Sequence, residues 1–168
     1  MKLVLVLDNI RSCYNVGAIL RTAEGFGIDK VILSGYTPRI HDESLLPHLR
    51  DKLDHEIHKT ALGAEDLLTI VSLDNIKVDL VKYKKTGWQV IGLENNIATN
   101  NLLKLGTADI RKRLSDKIVL ILGEEVKGID HSLYDIVDLF LEIPMKGKKE
   151  SFNVSVAAGI AMYAIMES

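Results

Sequence analysis

Cysteine, proline and long apolar runs are scarce in this chain of 168 residues. The single cysteine, Cys13, has no partner for an internal disulfide, which excludes a disulfide-stabilised scaffold and favours a reducing compartment. No apolar run approaches the roughly 20 residues that a membrane-spanning helix needs. The apolar run Leu3–Leu7 is too short for a signal peptide, and Asp8 follows it directly. We therefore expect a cytoplasmic protein.

Neither sign of charge is in excess, since Lys and Arg number 21 and Asp and Glu number 23. The resulting formal net charge of −2 provides no general attraction to phosphate. Any nucleic-acid binding must therefore come from a local basic patch. Hydrophobic residues make up 47% of the chain, which excludes a disordered protein, and the length predicts a single domain over residues 1–168.

Short apolar runs rich in β-branched residues alternate with longer helical patterns along the chain. This alternation predicts an α/β fold with a mostly parallel sheet flanked by helices. Ligands bind such sheets beyond the carboxyl ends of the strands. The predicted strands are Leu3–Leu7, Lys30–Leu33, Thr69–Leu73, Gln89–Leu93, Lys117–Leu122 and Leu139–Ile143.

Four helices are predicted from apolar residues spaced three or four apart and from capping residues. The last of them is apolar on most sides, which predicts that it is buried or lies at a subunit interface. The helices are Val16–Phe26, with Asn15 as N-cap and Gly27 at its end; a helix whose stripe Leu45, Leu49, Leu53 and Ile57 faces a core; Asp74–Lys85, with Asp74 as N-cap and Gly87 at its end; and Phe152–Met166.

The segment Asp8–Gly27 follows the first predicted strand. Within it, Gly17, Arg21 and Gly25 are spaced by four residues and therefore share one stripe of a helix. An arginine between two glycines suits contact with a phosphate or with a neighbouring chain. The spacing alone also fits a solvated arginine paired with Glu24.

The segment Ile118–Asp130 runs from an apolar strand into Gly123, two glutamates and Gly128. Backbone groups exposed beyond the end of a strand can bind an adenine or a ribose. By itself, the pattern also fits a surface turn whose acidic side chains are solvated.

The segment Ile143–Met162 joins a basic loop to the last predicted helix. Ser151 or Asn153 begins this helix, whose N-terminal amides tolerate an anion. The alternative is a capped helix after a solvated turn. The loop supplies the local positive charge that phosphate binding needs. Its lysines are Lys146, Lys148 and Lys149.

Together, the three segments resemble the signature motifs of the SpoU/TrmH family of RNA ribose 2′-O-methyltransferases, within the SPOUT class. Their order and spacing match the family along the whole chain. Glu124 stands where many family members have asparagine, so we assign the functional glutamate of the family to Glu125. The matching residues are N-x-G-x-x-x-R at Asn15, Gly17 and Arg21; L-G-x-E at Leu122, Gly123 and Glu125; and I-P-M-x-G-x-x-x-S-x-N-V-S at Ile143–Ser155.

The resemblance implies a homodimer that binds S-adenosylmethionine in the loops of a deep C-terminal trefoil knot, a feature that is rare among proteins. We expect no N-terminal RNA-binding extension, so that the catalytic domain and its dimer partner bind the RNA. The implied cofactor contacts are Leu93, Leu122, Gly123, Ile143, Met145, Ser151, Asn153 and Val154.

The resemblance also implies in-line transfer of a methyl group to a ribose 2′-hydroxyl, which requires no metal and no covalent intermediate. We assign Arg21 to hold a phosphate and polarise the hydroxyl, because a guanidinium stays protonated and is a poor base. The residues expected to orient the reactants are Asn15, Glu125, Ser151 and Asn153. The expected RNA contacts are Arg11, Arg21, Arg39, Lys146, Lys148 and Lys149, with tRNA favoured over rRNA as the substrate.

Other functions fit parts of the sequence. The first alternative is a catalytically silent RNA-binding dimer of the same fold. A dinucleotide-dependent oxidoreductase is disfavoured because no G-x-G-x-x-G follows the first strand. A zinc site is not expected at His48, His55 and His58, because no cysteine or carboxylate pattern completes one.

Overall fold

Seven parallel strands form one sheet in the computed structural model, which describes residues 1–106 and 110–167. The strands are β1 (Lys2–Asp8), β2 (Lys30–Ser34), β3 (Ile70–Leu73), β4 (Gln89–Leu93), β5 (Leu102–Lys104), β6 (Lys117–Leu122) and β7 (Leu139–Glu142). Their order across the sheet is β3-β2-β1-β6-β4-β7-β5. The predicted α/β fold with a mostly parallel sheet is confirmed.

Alternate residues of the central strands face opposite sides of the sheet, and both sides are buried. Leu5 of β1 and Leu120 of β6 belong to the core on one face, whereas Val6 and Ile121 belong to the core on the other. A parallel strand covered on both faces needs no polar side. This is why these strands read as continuous apolar runs in the sequence.

Helices cover both faces of the sheet. They are α1 (Cys13–Gly25), α2 (Pro47–Ala61), α3 (Lys77–Lys85), α4 (Ile110–Arg113) and α5 (Val154–Met166), with short 3-10 turns at Ala64–Asp66 and His131–Leu133. Helices α1, α2 and α5 pack on one face, and α3 packs on the other. Within the described parts of the chain, no helix is long and apolar enough to cross a membrane.

The predicted N-cap of α1 is wrong. The helix begins at Cys13, because Ser12 Oγ accepts a hydrogen bond at 3.3 Å from the backbone N–H of Asn15. Ser12 is therefore the cap, and Asn15 lies in the first turn. This placement directs the Asn15 side chain to partners outside the helix, which the functional site uses.

Three further details differ from the sequence analysis. Helix α3 begins at Lys77 rather than at Asp74, and Asn75 Oδ1 accepts from the N–H of Lys77 at 2.8 Å. Strand β5 was not predicted because three residues are too few to form a pattern.

In the predicted stripe of α2, Ile57 is buried but Leu49 is 43% exposed. The stripe therefore faces the core only towards the end of the helix.

Gly17 brings α1 and α2 into close contact. A Cβ atom at this position would collide with the carbonyl oxygen of Ile57 and with Thr60 Oγ1. The Thr60 hydroxyl donates in turn to the carbonyl of Tyr14 at 2.9 Å. The close approach that this glycine permits is therefore to a helix of the same chain.

Asp8, the last residue of β1, is a buried carboxyl group, and its burial raises its pKa. The pKa of Asp8 is higher in the folded than in the unfolded chain. The folded state therefore loses stability as the pH rises from the pKa of the unfolded chain through the pKa of the folded chain. We therefore expect Asp8→Asn to raise the free energy of unfolding at pH 7 by about 1 kcal/mol, which corresponds to a rise in Tm of a few degrees. Below the unfolded pKa, at about pH 3, the gain should vanish.

Circular dichroism melting curves across this pH range measure the effect. The exposed Asp66 provides the control, since Asp66→Asn removes a charge that is not buried. A lower Tm for Asp8→Asn than for the wild type at pH 7 would contradict the expected cost of the buried charge.

Candidate active site

A cavity of about 300 Å³ opens at the carboxyl edge of the sheet, where β4, β6 and β7 end. The residues before α5 and its first turns complete the wall, and Glu125 of the second motif also lines it. Met145 and Asn153 do not reach this wall. The predicted cofactor contacts that line the cavity are Leu93, Leu122, Gly123, Ile143, Ser151 and Val154.

The loop after β6 is a tight turn. The N–H of Glu124 donates to the carbonyl of Gly128 at 3.0 Å, and the N–H of Gly128 donates back at 2.8 Å. A Cβ atom on Gly123 would collide with the backbone of Gly128, and Gly128 itself has φ +72°. Both glycines are therefore required for this turn, which places backbone groups beside the cavity.

Glu124 and Glu125 have different environments, although the alternative interpretation treats both as solvated. The Glu124 side chain is buried, and its Oε1 lies 2.5 Å from a guanidinium nitrogen of Arg11. The ion pair compensates the buried charge. Glu125 is exposed, and its Oε1 accepts a hydrogen bond from Asn15 of the first motif. The surface-turn alternative is therefore wrong for Glu124.

Asn15 joins the three motif segments. Its Nδ2 donates to Glu125 Oε1 at 3.0 Å, and its Oδ1 accepts from Asn153 Nδ2 at 3.2 Å. Asn153 Oδ1 meanwhile caps α5 by accepting from the N–H of Ser155 at 2.9 Å. Three residues expected to orient the reactants thus form one hydrogen-bonded chain, which reaches the cavity wall through Glu125.

Two residues that the sequence analysis does not single out, Glu94 and Asn95, hold the cavity walls together. Asn95 Oδ1 accepts from the N–H of Ile143 at 3.1 Å, and its Nδ2 donates to the Ile143 carbonyl at 3.2 Å. Glu94 Oε2 accepts from the N–H of Ile129 at 2.8 Å. Their only signal in the sequence is their position directly after a strand, since no motif includes them.

Arg21 lies outside this cavity. Its side chain is exposed on α1, and it forms no ion pair or hydrogen bond with any residue of the described ranges, including Glu24. Its neighbour Thr22 faces α5, because the Thr22 methyl group would lie 3.6 Å from a Cβ atom built on Gly159. Arg21 is therefore placed beside the surface that α1 and α5 share.

The remaining predicted RNA contacts differ in how they are held. Arg11 is paired with Glu124, as described above, and Arg39 is paired with Asp74. The three lysines are exposed in the loop between β7 and α5. They are Lys146, Lys148 and Lys149.

Two of the histidines in or near α2 pair with carboxylates. His58 Nδ1 lies 2.6 Å from Glu65 Oε1, and His41 Nδ1 lies 2.9 Å from Asp54 Oδ2. Among residues 1–106 and 110–167, no group of three His, Cys, Asp or Glu side chains is arranged to hold a metal ion.

Acidic side chains outnumber basic ones around the cavity. Glu94, Glu124, Glu125 and Glu150 line it, and Lys127 is the one basic residue among its described walls. This distribution disfavours the pyrophosphate of a dinucleotide and favours a ligand that carries positive charge. The electrostatics therefore argue against the oxidoreductase alternative.

A family model described as the SpoU rRNA Methylase family matches residues 2–163 of the chain. The protein belongs to this family. Among its relatives is the 23S rRNA (guanosine-2′-O-)-methyltransferase RlmB of Xylella fastidiosa, which is 33% identical over 161 residues. That match covers 96% of this chain and 57% of the relative, so the SpoU-family chain spans little more than half the length of the curated relative.

Solved structures share the fold. An AdoMet-bound rRNA methyltransferase from Sinorhizobium meliloti superposes with a TM-score of 0.76 at 23% identity, over 97% of this chain and 55% of that one. A structure concerned with the 2-OH methylation of C/U34 on tRNA superposes with a TM-score of 0.73 at 22% identity, over 96% of this chain and 92% of that one.

Proposed function

We propose that this chain is an S-adenosylmethionine-dependent RNA ribose 2′-O-methyltransferase. One observation carries the proposal: segments that lie more than a hundred residues apart in the sequence are hydrogen-bonded to one another beside one cavity. Asn15 of the first motif is hydrogen-bonded to Glu125 of the second and to Asn153 of the third. Membership of the SpoU family and the named activity of the Xylella fastidiosa relative support the same reaction.

The lining and the charge of the cavity suit S-adenosylmethionine. The side chains of Leu93, Leu122 and Val154 suit an adenine ring, and the backbone at Gly123 and Ile143 offers hydrogen-bonding groups. The surrounding carboxylates attract the positive charges of the sulfonium and amino groups. When bound, the cofactor supplies a methyl group for in-line transfer to an oxygen nucleophile.

The protein side chains then have to hold the acceptor ribose and assist the loss of its proton. Arg21 binds an RNA phosphate and polarises the 2′-hydroxyl, whose proton passes to a phosphate oxygen, since the guanidinium stays protonated. Asn15, Glu125 and Asn153 hold the ribose at the mouth of the cavity through their hydrogen-bonded chain. Ser151, on the cavity wall, contacts the cofactor or the ribose with its hydroxyl.

The position of Arg21 outside the cavity leads us to propose a homodimer in which Arg21 of one protomer serves the cavity of the other. Helix α5 supports this assembly, because it is apolar on nearly all sides and yet leaves Val156 and Tyr163 exposed by 49% and 61%. Helix α1, which carries Arg21, packs beside it. Analytical ultracentrifugation should therefore find a dimer.

We also propose that residues 1–168 form a single domain and that its C-terminal part forms the trefoil knot that the family resemblance implies. The path of the chain supports it: the chain leaves β6, passes β4 to form β7, and returns to pack α5 against α1. Stretching single molecules from both ends in an optical trap tests the proposal. A knotted chain stops short of the full contour length, whereas an unknotted chain reaches it.

We propose tRNA rather than rRNA as the substrate. The structure concerned with C/U34 of tRNA is matched over 92% of its own length, so nearly all of that protein corresponds to this fold. An RNA substrate also agrees with the cytoplasmic location expected from the sequence.

Transfer of a labelled methyl group from S-adenosylmethionine to total tRNA or to rRNA tests the activity and the substrate together. We expect the label to appear in tRNA. After alkaline hydrolysis it should lie in dinucleotides, because a methylated 2′-oxygen cannot attack the neighbouring phosphodiester and that bond stays intact. RNA binding without any transfer would instead establish the catalytically silent RNA-binding dimer. Binding of NAD in place of S-adenosylhomocysteine, measured by calorimetry, would support the oxidoreductase.

Neutralising the basic loop should weaken RNA binding and flatten its dependence on salt. When Lys146, Lys148 and Lys149 are all changed to Gln, three phosphate contacts are lost. The negative slope of log affinity against log salt concentration should therefore become smaller in magnitude by about two. Filter binding of tRNA over a salt series measures this slope.

The matched control removes three exposed lysines from the opposite edge of the sheet. They are Lys2 and Lys117, which begin β1 and β6, and Lys85, which ends α3. Their replacement by Gln changes the net charge equally but should leave the slope close to that of the wild type. A wild-type slope for the basic-loop variant would mean that the loop does not contact RNA.

A further inference from the structure

An aromatic side chain stands exposed on a rigid turn near the cavity. Tyr36, two residues after β2, is 52% exposed, although aromatic residues make up only 5% of the chain. Its N–H donates to Asn9 Oδ1 at 3.2 Å, and the next residue, Thr37, is buried. The Thr37 hydroxyl donates to the carbonyl of Leu7 and accepts from the N–H of Ile10. The backbone is thus held firmly while the ring faces solvent.

A single guanidinium links this ring to the cavity wall. The Arg11 guanidinium lies 5.7 Å from the centre of the Tyr36 ring, and one of its nitrogens lies 2.5 Å from Glu124 Oε1. Glu124 is buried and lines the cavity. The Arg11 side chain is itself 62% exposed. The guanidinium therefore lies over the ring, and the pair is partly solvated next to the cavity.

The strand order places this surface opposite the basic loop. Tyr36 follows β2 and Arg11 follows β1, whereas the loop of Lys146 to Lys149 follows β7. In the sheet, β1 and β2 lie on one side of β6, and β4 and β7 lie on the other. An RNA strand whose phosphates contact the loop can therefore place a base on the Tyr36 side of the cavity.

We propose that Tyr36 and Arg11 form a stacking platform for an unpaired base of the RNA, at the nucleotide whose ribose enters the cavity. This inference rests on the proposed function. Proteins that bind single-stranded RNA stack its bases on aromatic rings and on guanidinium planes, and both are present here. Tyr36 contacts Arg11 but lies outside the core, so packing in the core does not account for its exposed ring on an anchored turn.

The Tyr36→Ala variant tests the platform. We expect the Kd for a short single-stranded RNA of mixed sequence to rise about tenfold, within the range for loss of one stacked base. The affinity for S-adenosylhomocysteine should not change, because Tyr36 does not line the cavity. The salt slope should also stay the same, because no charge is removed, which distinguishes this variant from the lysine variant.

Two further variants show whether stacking is the cause. Tyr36→Phe keeps the ring and should bind RNA nearly as well as the wild type. Tyr14→Ala is the matched control, because Tyr14 is 48% exposed and also lies near a cation, Lys59, but on the surface between α1 and α2. It should leave RNA binding unchanged. Arg11 is not substituted, because its loss would leave the buried Glu124 unpaired.

A fluorescent base analogue in the same RNA gives a readout independent of activity. Stacking on Tyr36 should quench 2-aminopurine on binding to the wild type and to Tyr36→Phe, but not to Tyr36→Ala. Normal RNA affinity and quenching in Tyr36→Ala would overturn the platform while leaving the methyltransferase proposal intact. The platform would also be overturned if Tyr36→Ala changed only the oligomeric state, because Tyr36 would then contact another subunit rather than RNA. A wild-type protein that neither binds nor methylates RNA would overturn the proposed function itself.

Discussion

Replacing Arg21 by alanine is expected to lower methyl transfer about 100-fold or more, the usual cost of removing one donor that stabilises developing charge. The affinity for S-adenosylhomocysteine should stay unchanged, because Arg21 does not line the cavity. Single-turnover methylation of tRNA measures the first quantity, and isothermal calorimetry measures the second. A loss of methyl transfer without a loss of cofactor affinity is the result expected of a guanidinium that acts on the RNA.

Two other arginine variants sharpen the result. Arg21→Lys keeps the charge but loses the forked geometry that binds a phosphate through two nitrogens, so we expect an intermediate loss. Arg111 is an exposed arginine on α4, ahead of β6 and thus at the other edge of the sheet. Arg111→Ala should retain full activity. If Arg21→Ala instead lost cofactor binding and kept normal turnover at saturation, the role assigned to Arg21 would be wrong.

The second large effect is expected for Gly123→Ala, which should weaken binding of S-adenosylhomocysteine about 10- to 100-fold. The added Cβ atom would overlap the backbone of Gly128 and of Ile129. Backbone atoms cannot rotate away as a flexible side chain can, so the turn closed by Glu124 and Gly128 has to open. Opening it displaces the backbone groups that we assign to cofactor binding.

Gly25→Ala is the matched control for this substitution. Apart from its chain neighbours and the backbone of its own helix, no atom of the described residues lies within 4 Å of a Cβ built on Gly25, and the residue does not line the cavity. Calorimetry should therefore find wild-type affinity for S-adenosylhomocysteine in this variant. Wild-type affinity in Gly123→Ala as well would place the cofactor somewhere other than this cavity.

Mixing the Arg21→Ala and Gly123→Ala variants also shows whether Arg21 acts in its own subunit or in the partner subunit. In a mixed dimer, the Arg21→Ala protomer keeps an intact cavity and the Gly123→Ala protomer keeps an intact arginine. If the arginine serves the cavity of its partner, each mixed dimer has one complete site, and random mixing restores roughly a quarter of wild-type activity. If it serves its own cavity, mixing restores nothing.

Much of the fold could be predicted from local patterns. Strands β4 and β6 occupy the predicted residues, because buried parallel strands are apolar on both faces and contrast with their surroundings. The helix ends were less predictable, because several polar residues near an end can each serve as a cap. Ser12 caps α1 in place of Asn15, and only its hydrogen bond distinguishes the two.

The candidate site divides in the same way. The motif residues Gly123, Glu125 and Ser151 could be singled out because they recur in a family pattern, and all three line the cavity. Glu94 and Asn95 carry no such pattern. Their importance comes from contacts with Ile129 and Ile143, which lie 35 and 48 residues away in the chain. Contacts at such separations leave no trace in local sequence.

The sequence alone determined the parallel α/β architecture, the family and the chemical types of the residues that serve it, because periodicity and motifs are properties of neighbouring residues. Tertiary structure decided which of those residues share one cavity. It turned Asn15 towards Glu125 and Asn153, paired Arg11 with the buried Glu124, and left Arg21 outside the cavity wall. The order of strands in the sheet determines which strand ends, and therefore which of the loops that carry these residues, lie side by side at the carboxyl edge.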